Sequence, residues 1–312
     1  MKITHIKFAE NVKKYVCISA AVILIGIICN FVFGVHLDIQ FTGGTILSYN
    51  YQGDIEENEL KAFAQEITDD RITMTLSKNF AGNGNVLSLQ LPGDDTITPE
   101  GQKEITTKLQ EKYADNNFTL SESSSVEPTM GLMFFLKCLC AIAIAAVIIV
   151  IYVAIRFKKI GGLSAGCMAL VALCQDIVIV YFTFVILRLP IDSNFMAVIL
   201  MILGYSINDT IVIYDRVREN RRLMGKHATN AEVFNKSANQ MLKRTIFTSL
   251  TTIMAIGTVL VVSIAMGIDS VRSFALPMML GVVYGCYSSN CIAGPLWVAW
   301  QNHKDKKAAA NG

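Results

Sequence analysis

Charged side chains are scarce in this chain of 312 residues. Asp, Glu, Lys and Arg together supply 17% of the sequence, whereas apolar residue types supply 53%. A soluble domain of this length cannot bury so much apolar surface. The scarcity of charge therefore excludes a soluble globular protein and indicates a membrane protein.

Patterns that bind metals, cofactors or phosphate are also missing from the sequence. The eight cysteines all lie in apolar runs and include no CxxC pair, and the four histidines are scattered. These spacings argue against a disulfide framework and against a zinc site. The glycine pair in "FTGGT" (41–45) is not followed by the GKS or GKT of a phosphate loop. We therefore expect neither a metal nor an organic cofactor.

Long apolar runs are what the sequence does contain. Six of them are long enough to cross a bilayer as helices, and we place them at 15–35, 134–156, 162–187, 195–214, 246–266 and 274–299. The first run follows four lysines and resembles a signal peptide, but it is about twice as long as a typical signal core. No small-x-small cleavage site follows it, so we expect it to be retained as a membrane span.

The charges outside these runs are divided unevenly between the two ends of the spans. Residues 1–15, 156–162, 215–244 and 301–312 carry 18 Lys and Arg against 5 acids, whereas 36–130, 188–194 and 267–273 carry 8 against 18. An excess of Lys and Arg in short loops marks the cytoplasmic side. We predict that both termini and the basic 215–244 loop are cytoplasmic and that 36–130 is extracytoplasmic. The basic loop could touch nucleic acid or anionic lipid, but topology already explains its charge, so we expect no nucleic-acid partner.

The polar segment 36–130 has the pattern of a small α+β domain. Strand patterns at 45–51, 71–77, 85–91 and 118–126 are separated by helix patterns that end near Ile67 and Tyr113. The order βαββαβ predicts a ferredoxin-like fold. The expected organisation is therefore a first span within 1–35, this domain at 36–130, five further spans within 131–300 and a cytoplasmic tail at 301–312.

The stretch "GYSINDTIVIYDRVREN" (204–220) places Asp209 inside the fourth apolar run. At 1.5 Å per residue, Asp209 lies roughly 9 Å inside the cytoplasmic boundary. A buried carboxylate there is costly unless it is paired, hydrated or protonated. Asn208, Ser206 and Thr210 offer polar neighbours. Two interpretations follow: an interfacial acid that snorkels to the cytoplasm, or a protonatable group on an ion pathway.

Two further charges lie in the apolar runs or at their ends. Arg244 begins the fifth run near the depth of Asp209, so we predict that the two side chains pair, with Thr248 one turn away on the same face. The alternative is an ordinary cytoplasmic flank with hydroxyls that only pack helices together. Asp176 lies deep in the third run without an obvious partner, because the adjacent Gln175 points elsewhere. A functional role for Asp176 is the favoured interpretation.

Glycines and prolines predict two backbone irregularities. Gly43 and Gly44, which follow Thr42, allow a sharp turn or a close backbone approach after the first span. The sixth run should be kinked and closely packed, because it contains Gly281, Gly285, Gly294, Pro277 and Pro295.

Four segments together closely resemble the SecF branch of the SecD/SecF family, within the resistance-nodulation-division superfamily. They are "LDIQFTGGT" (37–45), "LGYSINDTIVIYDRVREN" (203–220), "NKSANQMLKRTIFTSLTTI" (235–253) and "RSFALPMMLGVVYGCYSSNCIAGPLW" (272–297). The resemblance implies a protein-export subunit of the bacterial cell membrane, embedded among membrane lipids and driven by the proton gradient. It would work with SecD, the SecYEG channel and the SecA motor on unfolded exported polypeptides.

The resemblance also implies roles for individual residues. Asp209 would be the key protonatable group, accompanied by Arg244 and Thr248. Where the family often has His before the acid of the third span, this chain has Gln175, so Asp176 lacks a titrating neighbour. "FTGGT" would brace the base of the outer domain.

Three other functions are compatible with parts of the sequence. A related exporter of lipids or small molecules would use the same acid, but such exporters usually carry two six-span halves. "YD" at 214–215 suggests an intramembrane aspartyl protease, which is disfavoured because Asp209 and Asp215 share one helix. An assembly factor without proton coupling would be indifferent to the loss of the Asp209 charge. We expect no enzymatic activity.

Overall fold

The computed structural model describes residues 6–35, 37–53, 55–68, 72–79, 84–92, 98–225, 227–266 and 269–310. The first part of the chain forms α1 (Val12–Phe33), α2 (Ile39–Thr42), β1 (Gly44–Tyr51), α3 (Glu57–Ile67), β2 (Thr73–Asn79), β3 (Gly84–Pro92), α4 (Pro99–Lys112) and β4 (Thr119–Val126). The second part is helical: α5 (Pro128–Arg156), α6 (Gly162–Ile186), α7 (Ser193–Met224), α8 (Asn230–Met266), α9 (Asp269–Ser288) and α10 (Gly294–Ala310).

Five helices among the described residues, α1, α5, α6, α7 and α8, are long and apolar enough to cross a membrane. They correspond to the first five apolar runs of the sequence. The sixth run, 274–299, is not one continuous α-helix, because a π turn at Ser289–Ala293 separates α9 from α10. The irregularity expected from the glycines and prolines thus takes the form of a π turn, with Pro277 inside α9.

The centre of the helical part is formed by α6 and α7. Small residues line the buried side of α6, where Ala165, Ala169 and Ala172 recur at helical spacing. A Cβ added to Gly166 would lie 3.1 Å from the carbonyl oxygen of Val150, so the backbones of α5 and α6 approach closely. Small residues permit this approach in membrane helices. The helices α1, α5 and α8 surround the centre and expose apolar side chains.

The basic 215–244 segment is largely helical, which corrects its prediction as a loop. At 1.5 Å per residue, α7 is about 48 Å and α8 about 55 Å long, and both exceed the roughly 30 Å of a hydrocarbon core. Their charged ends continue as an antiparallel pair, in which Asn220 Nδ2 donates to Ser237 Oγ at 2.8 Å and to Gln240 Oε1 at 2.9 Å. Buried polar contacts of this kind stabilise helix where charge alone predicts a solvated loop.

The segment between α1 and α5 forms a four-stranded sheet in the order β2-β3-β1-β4, with antiparallel neighbours. Alternate residues of β1 and β3, such as Leu47, Tyr49 and Leu87, pack against Leu60 of α3 and Leu109 of α4. Each strand lies within two residues of its predicted bounds, and the β2–β3 hairpin is confirmed. The turn between these two strands, 80–83, lies outside the described residues.

Candidate functional site

Asp209 lies on the buried side of α7, and its side chain faces α8 and α9. The residue is 4% exposed, and its Oδ2 has no hydrogen-bond partner among the described residues. Cys286 of α9 lies within electrostatic reach of the carboxylate, and Ser249 of α8 is hydrogen-bonded to Cys286. A buried carboxylate without a donor is costly in an apolar surrounding. Oδ2 of Asp209 is therefore a buried acceptor that no described residue satisfies by a hydrogen bond.

Arg244 acts on Asp209 only at longer range. The Arg244 charge lies within electrostatic reach of the carboxylate, but no ion pair of 4.0 Å or less joins the two side chains among the described residues. Arg244 lies on the exposed side of α8, whereas Asp209 is turned inward. The direct pair expected from their depth is thus not formed. The Thr248 hydroxyl donates to the Arg244 carbonyl at 2.8 Å, and not to Asp209.

Asn208 does not share the surroundings of Asp209. It is exposed on the outer side of α7, in line with the exposed Met201 and Gly204. Successive helical residues point about 100° apart, so adjacency in sequence separates these two side chains. The expectation that the Asn208 amide accompanies the acid is wrong in this respect.

Asp176 has a partner that its sequence position does not suggest. Asp176 is 1% exposed, and the Ser206 hydroxyl donates to its Oδ2 at 2.5 Å. Ser206 lies one turn before Asp209 on α7. The helix α7 therefore carries both Asp209 and the hydrogen-bond donor to Asp176. The Ser288 hydroxyl lies close to the same carboxylate, but it donates to the Gly285 carbonyl at 3.2 Å.

The π turn contributes polar groups that sequence reasoning did not identify. Ser289 Oγ donates to the Ser206 carbonyl at 3.0 Å and lies 3.0 Å from Thr210 Oγ1, which donates to it. The Asn290 amide donates to the Cys286 carbonyl at 2.9 Å. The signal was the run of polar residues "YSSN" (287–290) inside an apolar segment before a Gly-Pro pair. Such π turns occur frequently at functional sites.

Gln175 points away from Asp176, as expected, and belongs to a separate chain of hydrogen bonds. Its amide donates to the Tyr284 hydroxyl at 2.5 Å, and Tyr284 donates to Ser19 Oγ at 3.2 Å. The Tyr287 hydroxyl, 3.5 Å from Ser19 Oγ, donates to the Tyr15 carbonyl at 2.9 Å. These bonds connect α1, α6 and α9. They end on a backbone carbonyl, so they hold helices together and do not reach Asp209.

Thr42, Gly43 and Gly44 form the turn from α2 into β1. Thr42 Oγ1 donates to the Asp38 carbonyl at 3.3 Å. Gly43 and Gly44 have φ angles of 79° and 133°, a region that strongly favours glycine. The sharp turn expected from the paired glycines is present.

The same segment lies against the start of α5. The ring of Phe41 is 5.7 Å from that of Phe134 and 5.2 Å from that of Phe135. A Cβ added to Gly131 would lie 3.0 Å from the Phe41 carbonyl oxygen. This contact joins the sheet domain to the helical part of the molecule.

Asp215 is not brought together with Asp209. It lies at the end of the apolar part of α7 and pairs with Arg156 at 2.9 Å and with Arg218 at 2.7 Å. The two facing acids that a protease requires are therefore not formed by Asp209 and Asp215.

The fold and the site define a class of protein: a polytopic membrane protein with a small α+β domain and two buried intramembrane acids. The chain belongs to the SecD/SecF family, because the family model described as "Protein export membrane protein SecD/SecF, C-terminal" matches residues 105–303. The protein translocase subunit SecF of Sebaldella termitidis is 31% identical over 98% of this chain and 96% of its own length.

Two longer relatives contain the same unit as part of a fusion. The protein translocase subunit SecDF of Bacillus subtilis is 32% identical over 97% of this chain, which spans 39% of that protein. The crystal structure of SecDF, a translocon-associated membrane protein from Thermus thermophilus, is similar with a TM-score of 0.78 and 29% identity. It covers 95% of this chain, which spans 38% of that structure.

Proposed function

We propose that this chain is a SecF-type subunit that promotes the export of unfolded polypeptides, using the proton gradient and no other cofactor. The observation that carries the proposal is the buried Asp209 carboxylate, which has no hydrogen-bond partner on Oδ2 among the described residues. Such a group is responsive to a proton, because protonation removes a charge that the surroundings do not satisfy. Membership in a family of export proteins supports the proposed role in polypeptide export.

The coupling follows from what lies on the same helix. Protonation of Asp209 removes its attraction to Arg244 and allows α7 and α8 to repack. Ser206, one turn away on α7, holds Asp176 of α6, so movement of α7 is transmitted to α6. The outer domain moves with these helices through its contact with α5.

The topology belongs to the same proposal. The segment 274–299 crosses the membrane as a sixth span, interrupted by the π turn, and the domain at 36–130 is ferredoxin-like, which its βαββαβ order and its sheet order support. Both termini are cytoplasmic in a bacterial cell membrane, as the distribution of Lys and Arg indicates.

The partner is a SecD-like protein, and together they act on the SecYEG channel and the SecA motor. The exposed stripe of Met201, Gly204 and Asn208 supports a missing helical partner. An amide facing lipid is costly, and a glycine permits close approach of another helix. Arg244 is exposed on the neighbouring α8.

The test is preprotein translocation into inverted membrane vesicles that contain this chain and its partner, with and without a proton gradient. We expect Asp209→Asn to insert normally and to abolish the stimulation by the gradient. Arg244→Gln should reduce it, because the substitution removes the positive charge that acts on the Asp209 carboxylate. Asp215→Asn is the matched control, because Asp215 is an acid of the same helix but lies at the end of its apolar part. This variant should retain the stimulation by the gradient. Full stimulation in Asp209→Asn would refute the proposal.

A further inference from the structure

A basic cavity opens at the end of the helical part where α5 turns into α6 and where α7 leaves its apolar stretch. Its volume is 680 Å³. The charged side chains that line it come from the α5–α6 turn and from one face of α7: Lys159, Asp215, Arg218, Glu219, Arg221 and Arg222. Two separate segments thus bring four cations to one cavity.

The acids of this cavity are already neutralised. Asp215 is held by two arginines, Arg156 at 2.9 Å and Arg218 at 2.7 Å. Glu219 is held by Arg216 at 2.6 Å. The residues that line the cavity, together with the arginines that pair with its acids, therefore carry more positive than negative charge. The ion pairs do not balance this positive excess.

Three cations of the cavity supply that excess. Among the described residues, Lys159, Arg221 and Arg222 take part in no ion pair. Arg221 donates only to neutral acceptors, the Ala228 carbonyl at 2.7 Å and the Asn230 side chain. Lys159 and Arg222 are exposed at the mouth. An anion that enters the cavity would meet uncompensated positive charge.

The cavity lies at the depth of lipid headgroups. Arg222 is about 10 Å along α7 beyond Asp215 at 1.5 Å per residue, and the headgroup layer extends roughly 5–7 Å beyond the hydrocarbon core on each side. The long Arg222 side chain can reach back from its backbone position to the headgroup layer. Exposed aliphatic side chains stand next to or near the lining residues in sequence: Ile155 is 72% exposed, Leu163 70% and Leu223 65%. Exposed aliphatic side chains are therefore close along the chain to the cations of the cavity.

We propose that this cavity binds the phosphate headgroup of an anionic phospholipid, whose acyl chains lie along the exposed aliphatic side chains of α5 and α6. Basic pockets between membrane helices recognise such headgroups. The excess of Lys and Arg on this side of the membrane explains why cations are present. It does not explain why they converge on a cavity whose acids are paired. The inference is independent of the export function.

The experiment measures lipid binding to the purified full-length chain in detergent by native mass spectrometry. The probes are phosphatidylglycerol, phosphatidylcholine and inorganic phosphate. Lys159→Gln/Arg222→Gln removes two exposed cations that make no ion pair. The matched control is Lys158→Gln/Lys304→Gln, which removes two exposed cations that do not line the cavity.

We expect phosphatidylglycerol to bind more tightly than phosphatidylcholine. The Lys159→Gln/Arg222→Gln variant should bind phosphatidylglycerol roughly 30-fold more weakly, since each cation near an anionic lipid contributes a factor of about five. The control variant should bind it as the unaltered chain does. Equal binding of the two lipids, equal losses in both variants, or displacement of phosphatidylglycerol by inorganic phosphate at similar concentration would overturn the proposal.

Discussion

Asp176 and Asp209 differ in how the fold treats their carboxylates, although both are buried in membrane helices. Each has one buried oxygen without a partner among the described residues, Oδ1 of Asp176 and Oδ2 of Asp209. Only Asp176 has a side-chain donor from a neighbouring helix, the Ser206 hydroxyl on its Oδ2. A bonded carboxylate stabilises a fixed helix contact, and an unsatisfied one favours a change of state. The Ser206 bond therefore holds Asp176 of α6 against α7, whereas Asp209 is the acid for which we propose proton coupling.

Replacing Ser206 tests the first assignment. Ser206→Ala leaves the buried Asp176 without its donor, so we expect the free energy of unfolding to fall by about 1–3 kcal/mol, measured by thermal melting of the purified chain. Thr258→Ala is the control, because Thr258 is exposed on α8 and its hydroxyl bonds only to the Met254 carbonyl of its own helix. Equal effects of the two substitutions would contradict the assignment.

Asp192, which lies outside the membrane spans, should make the stability of the chain depend on pH. It caps α7, accepting from the Phe195 N–H at 3.1 Å. Burial raises its pKa above 3.8, and the Asp38 charge adds to this, while the cap hydrogen bond opposes it. A raised folded-state pKa means that stability is present at acidic pH and is lost as pH rises through that pKa.

Asp192→Asn keeps an equally good helix cap without the charge. The variant should melt at the same temperature as the unaltered chain at about pH 4 and at a higher temperature at about pH 8. Glu122→Gln, which replaces an acid on the exposed strand β4, is the control. A variant that is less stable at neutral pH would show that the Asp192 charge stabilises the cap.

At the scale of elements, the turn between α5 and α6 depends on the absence of a side chain. A Cβ added to Gly162 would lie 2.1 Å from the Ala154 carbonyl oxygen, whereas one added to Gly257 of α8 would meet nothing within 4 Å. Gly162→Ala should therefore destabilise the chain by at least about 1–3 kcal/mol. Gly257→Ala should stabilise it by up to about 1 kcal/mol through helix propensity. Thermal melting of both variants measures these effects. An unchanged melting temperature in Gly162→Ala would show that the turn between α5 and α6 can widen to admit a side chain.

The elements themselves were largely predictable, because apolar runs and strand alternation are local properties of the sequence. Five spans, the βαββαβ order and the burial of Asp209 and Asp176 follow from such patterns. Rotation of a helix about its axis does not, since packing sets it. For that reason Asn208 and Arg244 lie on exposed sides, and Ser206 bonds to Asp176. The π turn at Ser289–Ala293 and the helical continuation of 215–244 also depend on tertiary contacts.

At the scale of the whole molecule, the helical part has exposed surfaces of two kinds. The outer sides of α1 and α5 are apolar, with exposed Phe31 and Ile148, and suit lipid. The outer side of α7 instead combines Gly204 and Asn208. In the longer relatives, the part that matches this chain is a fraction of the whole protein, 39% in SecDF from Bacillus subtilis. The remainder of such a protein would be available to cover this side.

Filling the space over Gly204 tests whether a partner helix lies there. A Cβ at this position meets nothing within 4 Å, so Gly204→Trp should fold alone with an unchanged melting temperature. It should reduce co-purification of a SecD-like partner at least about tenfold, because a small-residue contact between helices does not admit a large ring. Ile25→Trp is the control, an exposed site on α1, which packs against α6. If both variants retain the partner equally, the partner binds elsewhere, and the exposed Asn208 faces lipid.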